Sequence, residues 1–152
     1  MRIAAVIIFS LLLVSPHAST GVSPTNANIY VTFSAALRKA TPRDGSSGAI
    51  LFNLRPRKGI HINLTPPMSV TFDSSARVEA ADTLETPAME KFPYLDTSKA
   101  IVQKYKLLNR AGPSKPTGLT IKGTLTYFYC SDSEGWCSKF KQPFSLTVPA
   151  AK

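Results

Sequence analysis

Gly118-Leu119-Thr120-Ile121-Lys122-Gly123-Thr124-Leu125-Thr126-Tyr127-Phe128-Tyr129-Cys130 is the stretch that decides the fold. Leu119, Ile121, Leu125, Tyr127 and Tyr129 fall on one parity, and Thr120, Lys122, Thr124, Thr126 and Phe128 on the other. A period of two belongs to a strand with one face buried. The pattern returns in Phe140–Val148, where Phe140, Phe144, Leu146 and Val148 alternate with Lys141, Pro143, Ser145 and Thr147. Working outward, strand character is expected at Asn28–Leu37, with Ile29, Val31 and Phe33 on one face, and at Ala49–Leu54 and Ile60–Leu64. Shorter strands are expected at Ser69–Phe72 and Arg77–Ala80, and a longer one at Lys99–Leu108. Thr41–Gly48, Pro66-Pro67 and Ala111–Pro116 carry the residues that break ladders and make turns. Pro87 and Pro93 exclude a long helix from Thr83–Thr97, which reads as a loop with a short turn. Seven or eight strands without a convincing helix predict an all-β sandwich.

The chain opens with Arg2 and an apolar run, Ile3–Val14, followed by small and turn-forming residues. That is the pattern of a secretory signal, with cleavage expected after Ala18 or as late as Gly21; the run is shorter than the ~20 residues a membrane span needs. No later stretch is long enough to hold the mature chain stably in a membrane. One domain is expected, over residues 26–149. The chain carries 18 Lys and Arg against 9 Asp and Glu. The excess is spread along its length, without the dense basic block interleaved with aromatics that a nucleic-acid surface would show. A soluble basic exported protein, or one that meets acidic partners or anionic lipid, fits this balance.

Cys130 and Cys137 are the only cysteines, and six residues separate them. In an oxidising compartment so close a pair suggests a disulfide at a hairpin tip. Strand parity places both on the outward face, off the central core, unless a bulge intervenes. Closing so short a loop adds about 2–3 kcal/mol in the chain-entropy model, a modest staple for a chain of this size. Asp132 and Glu134 follow Cys130 and would raise its thiol pKa, whereas Lys139 and Lys141 follow Cys137 and would lower it, so Cys137 is the better nucleophile. Spacing alone leaves a structural staple and a redox-active pair both open. A metal site is disfavoured, because His61 is the only histidine left to join two thiols after signal removal. Ser-His-Asp arrangements, phosphate loops and usefully spaced carboxylate pairs are absent from the sequence.

Four elements in order carry a resemblance to a family. They are Gly59-Ile60-His61-Ile62-Asn63 followed by Pro66-Pro67; Glu90-Lys91-Phe92-Pro93-Tyr94; the strand Ile101–Leu108; and Gly123–Cys130 leading through a short loop to Cys137 and a last strand. From about Gly59 to Val148 the chain resembles the N-terminal periplasmic domain of the thiol:disulfide interchange protein DsbD. The resemblance implies an immunoglobulin-like fold and a Cys130/Cys137 pair that shuttles electrons, with Cys137 forming the mixed disulfide. The implied role is that of a protein-disulfide reductase component needing no cofactor. It also implies thioredoxin-like or DsbD-type redox partners in the periplasm, and a cap loop in which Phe92 covers the sulfurs, Tyr94 supports it and Glu90 takes an acidic cap position. Six residues between the cysteines where the family has five, and Ser138-Lys139-Phe140 where it has an aromatic-Pro-Pro stretch, depart from the pattern. Neither a membrane electron-transfer domain nor a thioredoxin-like domain is found in this sequence.

Further candidates are His61, as a proton donor near the thiols or an ordinary strand histidine, and Trp136, as a partner contact or a cover for the disulfide or the sheet edge. Tyr127 and Tyr129 read as core. Asn63-Leu64-Thr65 matches a glycosylation sequon, but the following Pro66 and the bacterial character of the resemblance argue against its use. The alternative to electron relay is a noncatalytic immunoglobulin-like binding module in which the Cys130–Cys137 bond is a fixed staple.

Overall fold

The computed structural model describes residues 27–38, 47–108 and 119–148. The expected signal sequence, the turn residues of 39–46, the Ala111–Pro116 break and the C-terminal tail lie outside the described residues.

Among the described residues eight strands form two antiparallel sheets: β1 (Val31–Arg38), β2 (Ser47–Pro56), β3 (Ile60–Asn63), β4 (Ser69–Phe72), β5 (Val78–Ala80), β6 (Ile101–Leu107), β7 (Leu119–Ser131) and β8 (Trp136–Val148). One 3-10 turn, Ser74–Ala76, joins β4 to β5. The first sheet runs in the order β1-β2-β6-β5. The second is built on β7. Its whole length pairs with β8 on one edge, so β3 and β4 must share the other edge end to end, opposite 128–131 and 123–126. The fold is therefore an all-β sandwich, as the alternation predicts.

Alternation sets which face each strand buries. Ile50, Phe52 and Leu54 of β2 and Ile101 and Tyr105 of β6 meet Ile62 of β3, Ile121, Leu125, Tyr127 and Tyr129 of β7, and Phe144 and Leu146 of β8 in one buried cluster. The Phe52 and Phe144 rings meet edge to face at 5.0 Å across the two sheets. Gly123 has no room for a side chain, since a Cβ there would stand 2.5 Å from the Thr71 carbonyl oxygen and 2.7 Å from the Phe144 ring. Gln103 is buried in the same layer, and its amide nitrogen donates to the Asp82 and Lys104 carbonyls at 2.9 Å each.

Two expectations need correction. Ile29 does not continue the inward face of β1. It precedes the strand, in a bend, and is 66% exposed, while Tyr30 turns in against Tyr129 and Trp136. The last strand begins at Trp136 rather than Phe140, and it carries Pro143 in its interior. Proline is tolerated there because β8 is an edge strand. Pro143 also shares its register parity with Cys137, whose Cα lies only 4.0 Å from that of Cys130. So close an approach marks a non-hydrogen-bonded pair, in which the backbone nitrogen points away from the neighbouring strand.

Candidate functional site

The hairpin between β7 and β8 sets the cysteines in place. Of the six intervening residues, Ser131 and Trp136 still pair in the ladder, leaving Asp132-Ser133-Glu134-Gly135 as the turn. Gly135 closes it in the left-handed region (φ 68°), and its N–H donates to the Ser131 carbonyl at 2.9 Å. The ladder reaches the tip without a bulge, so Cys130 and Cys137 stand directly opposite each other and are joined by a disulfide.

The bond lies on the outer face of the second sheet. The inward residues of β7 are the odd ones, Ile121 to Tyr129, and Cys130 belongs to the even set with Lys122, Thr124, Thr126 and Phe128. Cys130 is nonetheless buried, at 4% exposure, while Cys137 is exposed. Among the described residues no second sheet covers this face; what stands beside Cys130 is His61, its directly opposed neighbour on β3, and Asn63, whose Nδ2 donates to Cys130 Sγ at 3.0 Å. Beyond β3 comes the segment 83–97, which is more ordered than a plain loop. One leg bridges β6 through reciprocal Glu85–Val102 hydrogen bonds of 2.9 and 3.0 Å. The other leg lies along β3, with Leu64 N donating to Pro93 O and Leu95 N to Ile62 O. Leu95 is buried in the core and anchors this tab, whose Glu90–Pro93 tip is exposed.

A cleft of about 430 Å³ opens between tab and hairpin, lined by both cysteines together with His61, Asn63, Tyr94 and Trp136, among others. The Tyr94 ring stacks on His61 at 3.9 Å. Phe92, 55% exposed, is not part of the lining; it stacks on Tyr94 at 5.9 Å. Glu90 is exposed at the tip. Trp136 packs against Tyr30 (5.0 Å) and Tyr129 (5.7 Å).

The carboxylates that follow Cys130 have partners of their own. Asp132 Oδ2 stands 3.2 Å from His61 Nδ1, and Glu134 accepts from the Trp136 indole N–H. On β8, Lys139 and Lys141 share the exposed outer face with Cys137, and the Lys139 ammonium sits 5.7 Å from the centre of the Phe128 ring. Among the described residues no cluster of three His, Cys, Asp or Glu side chains could hold a metal ion, and no helix is long and apolar enough to cross a membrane.

Asn63 is the site residue that sequence reasoning left without a role at the sulfurs. The Ile60-His61-Ile62-Asn63 alternation does put His61 and Asn63 on one face; the pairing register that sets this face beside Cys130 is a tertiary fact. Comparison with protein-family models, with curated proteins and with solved structures found no match. The fold and the site thus define an all-β sandwich with a disulfide-bearing cleft at one end of its second sheet.

Proposed function

We propose that this chain is an exported thiol–disulfide exchange module of immunoglobulin-like topology, similar to the N-terminal domain of DsbD, working on thioredoxin-like partners in the periplasm. The observation that carries the reading is the unequal exposure of the two sulfur-bearing residues: Cys137 is exposed beside the cleft and Cys130 is buried. A nucleophile from another protein has access to Cys137 first. A partner thiolate attacks Cys137 Sγ, a new intermolecular disulfide forms, the Cys130–Cys137 bond breaks, and its electron pair leaves on Cys130 as a thiolate. The second thiolate of the partner then attacks the partner's own sulfur in the mixed disulfide and releases Cys137. Two electrons have moved from the partner dithiol to this chain. In the reverse direction Cys137 thiolate attacks a target disulfide and Cys130 resolves the adduct. Lys139 and Lys141, along the same face, favour an anionic sulfur at Cys137 and an anionic nucleophile approaching it. The tab borders the cleft through Tyr94, with Phe92 stacked behind it; it stands on the Cys130 side and leaves Cys137 open to a partner.

The test is the reduction potential of the bond, measured by equilibration against thiol redox buffers. A value above about −300 mV, toward the glutaredoxin and isomerase range, is expected. A lower value would return the bond to a fixed staple in a noncatalytic binding module. In the native compartment, Cys130→Ala is expected to accumulate a mixed disulfide through Cys137.

A further inference from the structure

We propose that Asn63 is a positioning residue for Cys130, its side-chain amide serving the leaving sulfur as hydrogen-bond donor when that sulfur is a thiolate and as acceptor when it is a thiol. The inference rests on the exchange reading above and assigns a part of the chemistry which that reading leaves open.

Asn63 sits between two partners. Its backbone pairs with Phe128 of β7 on one side and bridges Tyr94 of the tab on the other, so its side chain is held on the outer face beside the sulfurs. Nδ2 donates to Cys130 Sγ at 3.0 Å. Oδ1 is fully enclosed and is the one buried side-chain polar atom without a partner among the described residues. An enclosed amide oxygen left unpaired is unfavourable, and a sulfur within a disulfide is a weak acceptor for the amide hydrogen. The oxidised state therefore uses this amide poorly.

Reduction changes that. When an incoming thiolate bonds to Cys137 Sγ and the Cys130–Cys137 bond breaks, the departing electron pair arrives on Cys130 Sγ next to the Nδ2 hydrogens. A thiolate there accepts a charge-assisted hydrogen bond, stronger than the one offered to a disulfide. Once that sulfur takes a proton from solvent, a half-turn of the amide about its Cβ–Cγ bond would present Oδ1 to the S–H as acceptor. Asn63 thus favours the transition state of bond cleavage and the reduced product over the disulfide. The other titratable groups bordering Cys130 are His61, Asp132 and Tyr94. His61 and Asp132 are engaged with each other, and neither replaces an amide that can both donate and accept.

The experiment isolates the Cys130 thiol. In a Cys137→Ser background, the thiolate of Cys130 is titrated by its ultraviolet absorbance, with and without Asn63→Leu and the isosteric Asn63→Asp. Both Asn63 variants are expected to make the thiol on the order of tenfold less acidic, the loss of one hydrogen bond to a charged group, with the Asp variant affected more because it adds a negative charge. In the chain with both cysteines, the same substitutions are expected to slow reduction by dithiothreitol by a similar factor. Near-ultraviolet circular dichroism identifies which variant is folded, and the conclusion is drawn on that one. Unchanged acidity and an unchanged reduction rate in a folded variant overturn the role of Asn63. A wild-type bond inert to every redox partner, together with an Asn63-dependent thiol acidity, would instead overturn the exchange reading and leave the role of Asn63 standing.

Discussion

Tyr127 shows how a single side chain ties the core to solution conditions. It is fully buried at the centre of β7, and its hydroxyl accepts a hydrogen bond from Asn28 Nδ2 at 3.1 Å. Burial pushes its pKa up to about 12, from an ordinary value near 10. A raised folded-state pKa means that the neutral phenol is favoured by folding; the associated stability is complete below about pH 10 and is lost as pH rises toward 12. Denaturant titrations across that alkaline range should show a falling midpoint. Tyr127→Phe should lower stability at neutral pH by about 1 kcal/mol, through the lost hydrogen bond, and should make the alkaline decline shallower. It should not abolish that decline, because burial also raises the pKa of Tyr105. A decline of the same steepness in the variant would remove Tyr127 from the account. At this scale the sequence was readable: alternation alone assigns Tyr127 and Tyr129 to the core. It could not pair Asn63 with Cys130, because those residues are 67 positions apart and meet only through strand register.

Among the elements, the tab of 83–97 is the one whose geometry bears most on the cleft. Its prolines exclude a helix, yet its backbone hydrogen bonds go to two different strands, β6 on one leg and β3 on the other. The returning leg is secured at its end by Asp96, whose carboxylate accepts from the Ser98 hydroxyl and N–H and pairs with Lys99 at 2.9 Å. These contacts, the Ser98 hydroxyl foremost, hold the Asp96 carboxyl down at about 2. A depressed pKa contributes stability above the unfolded value near 4 and loses it as pH falls toward 2. Amide hydrogen exchange at Leu95 and Ser98, corrected for intrinsic rates, should accelerate across that acidic window. Asp96→Asn should already exchange faster at neutral pH and should lose the pH dependence. Exchange in the wild type that stays flat from pH 4 to 2 would show that Asp96 does not hold the tab. Sequence reasoning located this segment as an irregular one between strands. The bridges that tie it to both sheets arise from long-range pairing, which local composition does not encode.

Taken as a whole, the molecule keeps its disulfide out of its core. The buried cluster lies between the sheets, whereas Cys130 and Cys137 join two adjacent strands of one sheet on its outer face. Folding should therefore survive loss of the bond. The double variant Cys130→Ala/Cys137→Ala is expected to unfold cooperatively, with about 2–3 kcal/mol less stability in denaturant, the entropy of closing a short loop. Failure of that variant to fold would make the bridge a structural necessity and count against an exchangeable one. The packing of Phe52 against Phe144 lies between the sheets, apart from the bond.

Hydrophobic alternation of period two, proline and glycine placement and the spacing of two cysteines determine, from the sequence alone, an all-β sandwich with a hairpin disulfide on its outward face. Those properties are local, because side-chain parity and turn chemistry act over neighbouring residues. Which of the two cysteines is covered, and by what, was decided only in three dimensions. Cys130 and Cys137 share one parity and one face, and nothing in that parity separates them. The register of β3 against β7, with the tab laid along β3, brings Asn63, His61 and Tyr94 to the Cys130 side and leaves Cys137 on the open edge strand.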